Sequence, residues 1–181
     1  MLEVSVLYER YKFLGHEFLT WLWYLTEKEQ DRFNKSDPDI VSLNIGNRIV
    51  LENRLNEDAV ESITIKGDDA DLEEGKLALK KGAVVTELNL IYKTGEYEWR
   101  FSVKGENFNI GNLKTPDTGP IESKEDVEGA VLEKVYLYEK AISMIDTIFK
   151  DFIQLRISEK WHEQAVPTLK DWIYSDNKNI S

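Results

Sequence analysis

The chain has no cysteine among its 181 residues, and it has few histidines and prolines. The absence of thiols excludes disulfides, thiolate nucleophiles and zinc sites built on sulfur. The sequence also lacks a run of about 18 apolar residues that could span a membrane, and its N-terminus lacks the basic and apolar regions of a secretory signal. We therefore expect a cytoplasmic protein that does not enter a membrane.

Motifs of common catalytic chemistry are also missing. There is no glycine-rich phosphate loop, no nucleophile elbow and no histidine-rich metal pattern. The two His-Glu pairs, at residues 16–17 and 162–163, are sequence neighbours that point about 100° apart on a helix, so a shared metal site needs both helices in contact. A short acidic segment lacks the spacing of a calcium loop and is typical of a solvated surface. Its members are Asp68, Asp69, Asp71, Glu73 and Glu74. We predict no catalytic residue, no metal ligand and no cofactor, hence a protein that is not an enzyme.

Acidic residues outnumber basic ones by 34 to 23, which gives a net charge of -11. A strongly acidic surface repels nucleic-acid phosphate at long range. Between Lys76 and Lys114, however, seven basic residues stand against four acidic ones. This asymmetry is typical either of an acidic exterior with one less negative working surface, or of ordinary solvated charge on an exposed hairpin.

The aromatic segment "YKFLGHEFLTWLWYL" lies within a predicted helix over residues 5–30. Its apolar residues recur at alternating steps of four and three from Leu7 to Leu25, the spacing of one helical stripe. Additional apolar residues outside the stripe make the second half of the helix apolar over most of its circumference. This half must be covered on several sides, or on one side by another subunit. The candidate interface residues are Phe18, Trp21, Trp23 and Tyr24.

Residues 39–114 are rich in strand signals. The runs "VVTELNLIYK" and "YEWRFSVK" alternate with a period of two around the turn "TGE", and "NFNIGNL" adds another strand. Gly46-Asn47 predicts a tight hairpin, because both residues tolerate positive φ. The segment "DADLEEGKLALKKG" predicts a short helix with Gly82 just past its end. The connections are too short for helical crossovers, so we expect an antiparallel sheet.

A proline-containing linker over residues 115–124 separates this region from a helical part over residues 125–175. Ser123 followed by Asp126 resembles a capping box that begins a long helix. The predicted core stripe of this helix comprises Val131, Val135, Tyr138, Ile142, Ile145, Phe149 and Phe152. The sequence thus predicts one α+β domain over residues 1–181, with an antiparallel sheet of about five strands packed with a long N-terminal helix and a long C-terminal helix.

Four segments between residues 5 and 175 carry a resemblance to a known family. "FLGHEFLTWLWYLTE", "RIVLEN", "LKKGAVVTELNLIYKTGEYEWRFSV" and "VLEKVYLYEKAISMIDTIFKDFIQLR" together resemble the C-terminal half of longer members of the recombination-associated RdgC family. The resemblance rests on apolar, aromatic and glycine positions. It implies a ring-shaped homodimer that encircles duplex DNA and restrains recombination by a RecA-type recombinase. This sequence has no counterpart of the N-terminal half of those members.

The leading hypothesis is a non-enzymatic, sequence-independent DNA-binding protein that modulates recombination, with duplex DNA favoured over single strands. The candidate phosphate contacts are Lys66, Lys80, Lys81, Lys93, Arg100 and Lys104. The alternative is an acidic protein-interaction module, a subunit, inhibitor or DNA mimic that docks on another protein through the aromatic first helix. No carboxylate pair supports a nuclease.

Overall fold

The structure, a computed structural model, describes residues 4–36, 42–56, 59–67, 72–120 and 123–175. Its elements in chain order are α1 (Val4–Lys28), α2 (Gln30–Ser36), β1 (Ser42–Asn56), β2 (Ala59–Lys66), α3 (Leu72–Lys80), β3 (Val84–Thr94), β4 (Tyr97–Lys104), β5 (Ile110–Lys114), α4 (Lys124–Arg156), a π-helical turn (Trp161–Ala165) and α5 (Val166–Tyr174). Within the described ranges, no helix combines the length and the apolar character needed to cross a membrane.

The five strands form one antiparallel sheet in the order β2-β1-β3-β4-β5. The two longest helices, α1 with 25 residues and α4 with 33, lie before and after the strands in the chain. The predicted α+β class is therefore confirmed, including the antiparallel sheet and both long helices. The capping box is also present, since the backbone N–H of Asp126 donates to Ser123 Oγ and the Ser123 N–H donates to the Asp126 carboxylate.

Alternating side-chain direction determines which residues of β3 and β4 face the helices. Leu90 and Tyr92 of β3 and Trp99 and Phe101 of β4 point into the core, while the residues between them point away. Tyr92 and Trp99 are direct cross-strand partners whose rings stack with centroids 4.4 Å apart. Such aromatic pairs stabilise a hairpin beyond simple burial.

The helices cover this one face of the sheet. The Trp99 indole N–H donates to the carbonyl of Leu137 in α4 at 3.0 Å, which attaches α4 to the core side of β4. Gly15 of α1 lies directly against Gly105 at the end of β4, so close that a Cβ on Gly15 would be 1.7 Å from the Gly105 carbonyl oxygen. No described helix lies over the opposite face, which we call the open face.

The second half of α1 is buried from several directions. Phe18 packs edge-on against Phe149 of α4 with centroids 5.2 Å apart, and Trp21 contacts Phe152 at 5.6 Å. On another side, Trp23 packs edge-on against Trp172 of α5 at 5.5 Å. The apolar circumference seen in the sequence is therefore covered by other parts of the same chain.

A largely buried carboxylate, that of Glu27, joins α1, α3 and α5, and we call this group the Glu27 cluster. Glu27 accepts hydrogen bonds from the indole N–H groups of Trp23 and Trp172, at 2.8 and 2.9 Å. The Lys76 ammonium is 2.7 Å from the same carboxylate and lies over the Trp172 ring. Lys76 is only 5% exposed, so water does little to stabilise its charge. Among the described contacts, the Glu27 carboxylate is the counter-ion that does so.

The predicted hairpin at Gly46-Asn47 is wrong, because β1 runs through these residues as one strand. Ile45 pairs with Leu90 and Ile49 with Leu88, so three residues of β1 lie opposite the single residue Asn89 of β3. The strand bulges there, and the Asn89 side chain fills the gap by accepting from the Asn47 N–H and donating to the Phe101 carbonyl. A Cβ at Gly46 would lie 2.1 Å from Asn89 Oδ1, so the Asn89 side chain would have to shift, and the glycine permits this close approach rather than a turn.

The core stripe predicted for α4 is correct only in the second half of the helix. Ile145 and Phe152 are buried, whereas Val131, Val135, Tyr138 and Ile142 are 40–57% exposed. The first half of α4 instead contacts the core through Leu137 and Ala141, which lie on the neighbouring side of the helix. A single apolar spacing cannot distinguish two adjacent stripes about 100° apart.

Candidate nucleic-acid interface

Four of the six predicted phosphate contacts lie together on the open face. The period of two directs Lys93, Arg100 and Lys104 away from the core, and Lys66 projects on the same face from β2. All four side chains are exposed. The antiparallel register therefore brings together cations that are up to 38 residues apart in sequence.

The other two predicted contacts, Lys80 and Lys81, do not belong to this surface. Lys80 is the last residue of α3, and Lys81 follows it in the turn towards β3. Because α3 packs on the core side of the sheet, where Gly75 contacts Trp23, both lysines lie off the open face. The structure thus separates the six predicted residues into a group of four and a pair.

Two further cations on the open face were missed by the sequence interpretation. Arg48 is the direct cross-strand partner of Lys66, and Lys114 is the partner of Arg100. Arg48 was missed because the predicted hairpin placed it beside a turn, and Lys114 because β5 was recognised only through Phe108 and Ile110. A strand pattern carried through the bulge would have identified Arg48.

Among the described residues, the open face carries more basic side chains than carboxylates. Glu52, Glu87 and Glu98 stand against six basic residues, a surplus of three positive charges on a chain whose net charge is -11. Arg48 Nη1 lies 3.1 Å from Glu87 Oε1, which holds the guanidinium against the sheet. The described part of the open face is thus locally positive, but it matches the basic segment of the sequence only in part, because Lys76, Lys80 and Lys81 lie elsewhere.

Glu98 contacts two of the candidate phosphate ligands at once. Lys93 Nζ is 2.7 Å from one carboxylate oxygen, and Arg100 Nε donates to the other at 2.6 Å. Hydrogen bonds from Lys93 and then Arg100 lower the pKa of Glu98 below its usual value. The carboxylate therefore stays ionised and neutralises part of the positive surface.

The four candidate interface residues of α1 lie inside the chain. Phe18, Trp21 and Trp23 are at most 3% exposed, so their side chains have almost no surface with which to contact a second chain. Tyr24 is half-buried, and its hydroxyl donates to Glu29 at 2.8 Å. Burial, together with this hydrogen bond, raises the pKa of Tyr24 to about 12.

The histidines and the acidic segment do not form a metal-binding group among the described residues. Glu17, the neighbour of His16, is paired with Arg156 at 2.6 Å. His16 lines an apolar groove of about 270 Å³ beside Trp161, whereas His162 is exposed. Residues 68–71 of the acidic segment lie outside the described residues, and Glu73 and Glu74 form the first turn of α3.

Comparison with known proteins identifies no relative. No family model, no curated protein and no solved structure matches this chain. The geometry of the open face is therefore the basis for a functional proposal.

Proposed function

We propose that the open face binds the phosphate backbone of DNA without sequence preference, and that the chain modulates recombination as its resemblance to the RdgC family implies. The single observation that carries this proposal is the convergence of six cations from all five strands on one surface that no described helix covers. Phosphate contacts hold a duplex in place but do not read its sequence. We also propose that the protein whose activity this chain modulates is a RecA-type recombinase, because the resemblance to the RdgC family implies it.

Duplex DNA is the favoured form because the described part of the open face carries no aromatic side chain. Proteins that bind single strands without sequence preference stack bases on aromatic rings. Here Tyr92, Trp99 and Phe101 all point into the core and are at most 1% exposed. A basic sheet surface without aromatic stacking platforms among its described residues supports backbone contact with a duplex.

The first prediction concerns the triple variant Lys93→Ala/Arg100→Ala/Lys104→Ala. We expect weaker duplex binding and a slope of log affinity against log salt that is less steep by about three, because each lost phosphate contact reduces the slope by about one. Fluorescence anisotropy with labelled duplexes of unrelated sequence, titrated at several salt concentrations, measures both quantities.

The matched control is Lys150→Ala/Lys160→Ala/Lys170→Ala, which makes the same charge change at exposed positions on the helices. Its salt slope should stay close to that of the wild-type chain. Equal losses in both triple variants, or no binding of either DNA form by the wild-type chain at about 50 mM salt, would refute the proposal.

A second prediction concerns Glu98, which competes with phosphate for Lys93 and Arg100. We expect Glu98→Gln to bind duplex DNA about two- to tenfold more tightly, since exposed ion pairs of this kind contribute a few tenths to about 1 kcal/mol each. The gain should shrink as the pH falls through the lowered pKa of Glu98, because protonation then releases both cations in the wild-type chain as well.

The control for this variant is Asp146→Asn, which removes a carboxylate paired with Lys150 at 2.6 Å on α4. It changes the net charge equally but leaves the open face intact. If Glu98→Gln binds no more tightly than Asp146→Asn at neutral pH, Glu98 does not compete for the phosphate site.

A further inference from the structure

The first half of α4 exposes an unusual concentration of apolar side chains. Among the described side chains, thirteen large hydrophobic residues are exposed, and seven of them lie between residues 127 and 142. They are Val127, Val131, Leu132, Val135, Tyr136, Tyr138 and Ile142, with exposed fractions of 40–71%. Contiguous apolar surface of this kind marks an interaction site, because isolated apolar residues rather than groups are normal on a monomer.

The spacing of these residues is that of a coiled-coil heptad. Val135 and Ile142 occupy a positions, and Val131 and Tyr138 occupy d positions, with steps of four and three, whereas the preceding a position holds Glu128 and ends the apolar stripe. β-Branched residues at a positions, combined with leucine at d, favour pairing of two parallel helices, and this stripe meets the first of these two conditions. We call Val131, Val135, Tyr138 and Ile142 the α4 seam.

The flanking positions of the heptad complement a second copy of the same helix. In a parallel pair, a g residue contacts the e residue that is five positions later on the partner helix. Lys134 at g then meets Glu139 at e, which places opposite charges together on both sides of the two-fold axis.

The length of the contact follows from the packing of the rest of α4. After Ile142 the heptad stripe continues through Ile145 and Phe152, but these side chains are buried against the chain's own core. Because Glu128 occupies the first a position, two copies can pair through apolar residues over 131–142, about three helical turns, and must diverge after Ile142. The a, d and e positions of this span account for five of the seven exposed residues, and Val127 and Tyr136 lie outside these positions.

We propose that the α4 seam is a self-association surface, on which a second copy of this chain pairs through parallel α4 helices. The Lys134–Glu139 contact between the two copies fixes the orientation. This inference is independent of the proposed DNA binding, because it rests on a different surface.

Sedimentation velocity of the full chain over a wide concentration range tests self-association. We expect a reversible dimer, and Tyr138→Glu should weaken it by roughly a hundredfold or more, because symmetric pairing brings two carboxylates together within an apolar seam. The control Ile157→Glu changes a residue that is 80% exposed at the end of α4 and off the seam, and it should remain dimeric. Circular dichroism should show the same fold for both variants. A monomeric wild-type chain at every concentration, or equal dimerisation by Tyr138→Glu and Ile157→Glu, overturns the proposal.

Charge exchange tests the orientation. Lys134→Glu and Glu139→Lys should each weaken the homodimer, whereas a mixture of the two variants should form heterodimers, because both g–e contacts are then between opposite charges. Positions five apart on one helix do not face each other, so recovery in the mixture reports contact between chains. If the mixture associates no better than either variant alone, the parallel arrangement is wrong.

Discussion

Glu27→Ala is expected to lower the free energy of unfolding by about 3–5 kcal/mol, because it leaves the buried Lys76 charge without its counter-ion. The same change removes the acceptor for the indole N–H groups of Trp23 and Trp172. Since a domain is stable by only about 5–15 kcal/mol in total, we expect a large fall in the urea midpoint. Urea denaturation followed by circular dichroism measures this loss.

A double-mutant cycle separates the Glu27–Lys76 interaction from the loss of packing. Lys76→Ala should cost less in the Glu27→Ala background than in the wild-type chain, because the buried charge has already lost its partner. Asp146→Ala provides the control, since it breaks the exposed pair with Lys150 at a similar distance of 2.6 Å. A change of no more than about 1 kcal/mol is expected there. If Glu27→Ala and Asp146→Ala lower the free energy of unfolding by similar amounts, burial of the Glu27 cluster does not explain the loss of stability.

Gly15→Ala is expected to destabilise the chain by about 1–3 kcal/mol or more, in spite of the better helix propensity of alanine. The added Cβ would lie 1.7 Å from the carbonyl oxygen of Gly105 and 2.4 Å from its carbonyl carbon. Both are backbone atoms, so α1 must move away from the end of β4. Thermal and urea unfolding should both register the change.

The same substitution at Gly129 serves as the control. Gly129 lies in an exposed part of α4, and an added Cβ there meets nothing within 4 Å. Gly129→Ala should therefore stabilise the chain by about 0.5–1 kcal/mol through helix propensity alone. We expect Gly15→Ala to lower the free energy of unfolding and Gly129→Ala to raise it. Stabilisation by both substitutions would contradict the close approach of α1 to β4.

Much of the fold could be predicted because it depends on local signals. The alternation in "YEWRFSVK", the turn at Gly95 and the cap at Ser123 are contained within a few residues each. These signals lie in short windows, where side-chain direction follows directly from secondary structure. The positions of Lys93, Arg100 and Lys104 on one face of the β3–β4 hairpin follow from them.

The remaining features depend on contacts that a sequence pattern does not contain. Gly46-Asn47 is compatible with a hairpin as well as a bulge, and the choice is made by Asn89, which is 42 residues away from Asn47. The heptad stripe of α4 has the same spacing whether its partner is the chain's own core or another molecule. Lys80 and Lys81 were grouped with the sheet lysines by proximity in sequence, but α3 carries them to the other side.

The Glu27 cluster also has a consequence for how the chain is made. Trp172 donates to Glu27 across a sequence separation of 145 residues, so the first helix is not fully covered until the last helix has been synthesised. At about 5–20 residues per second, a ribosome takes roughly 7–30 s to cover that interval. During this time the apolar circumference of α1 is accessible on the nascent chain. We therefore expect α1 to be covered completely only after α5 has left the ribosome.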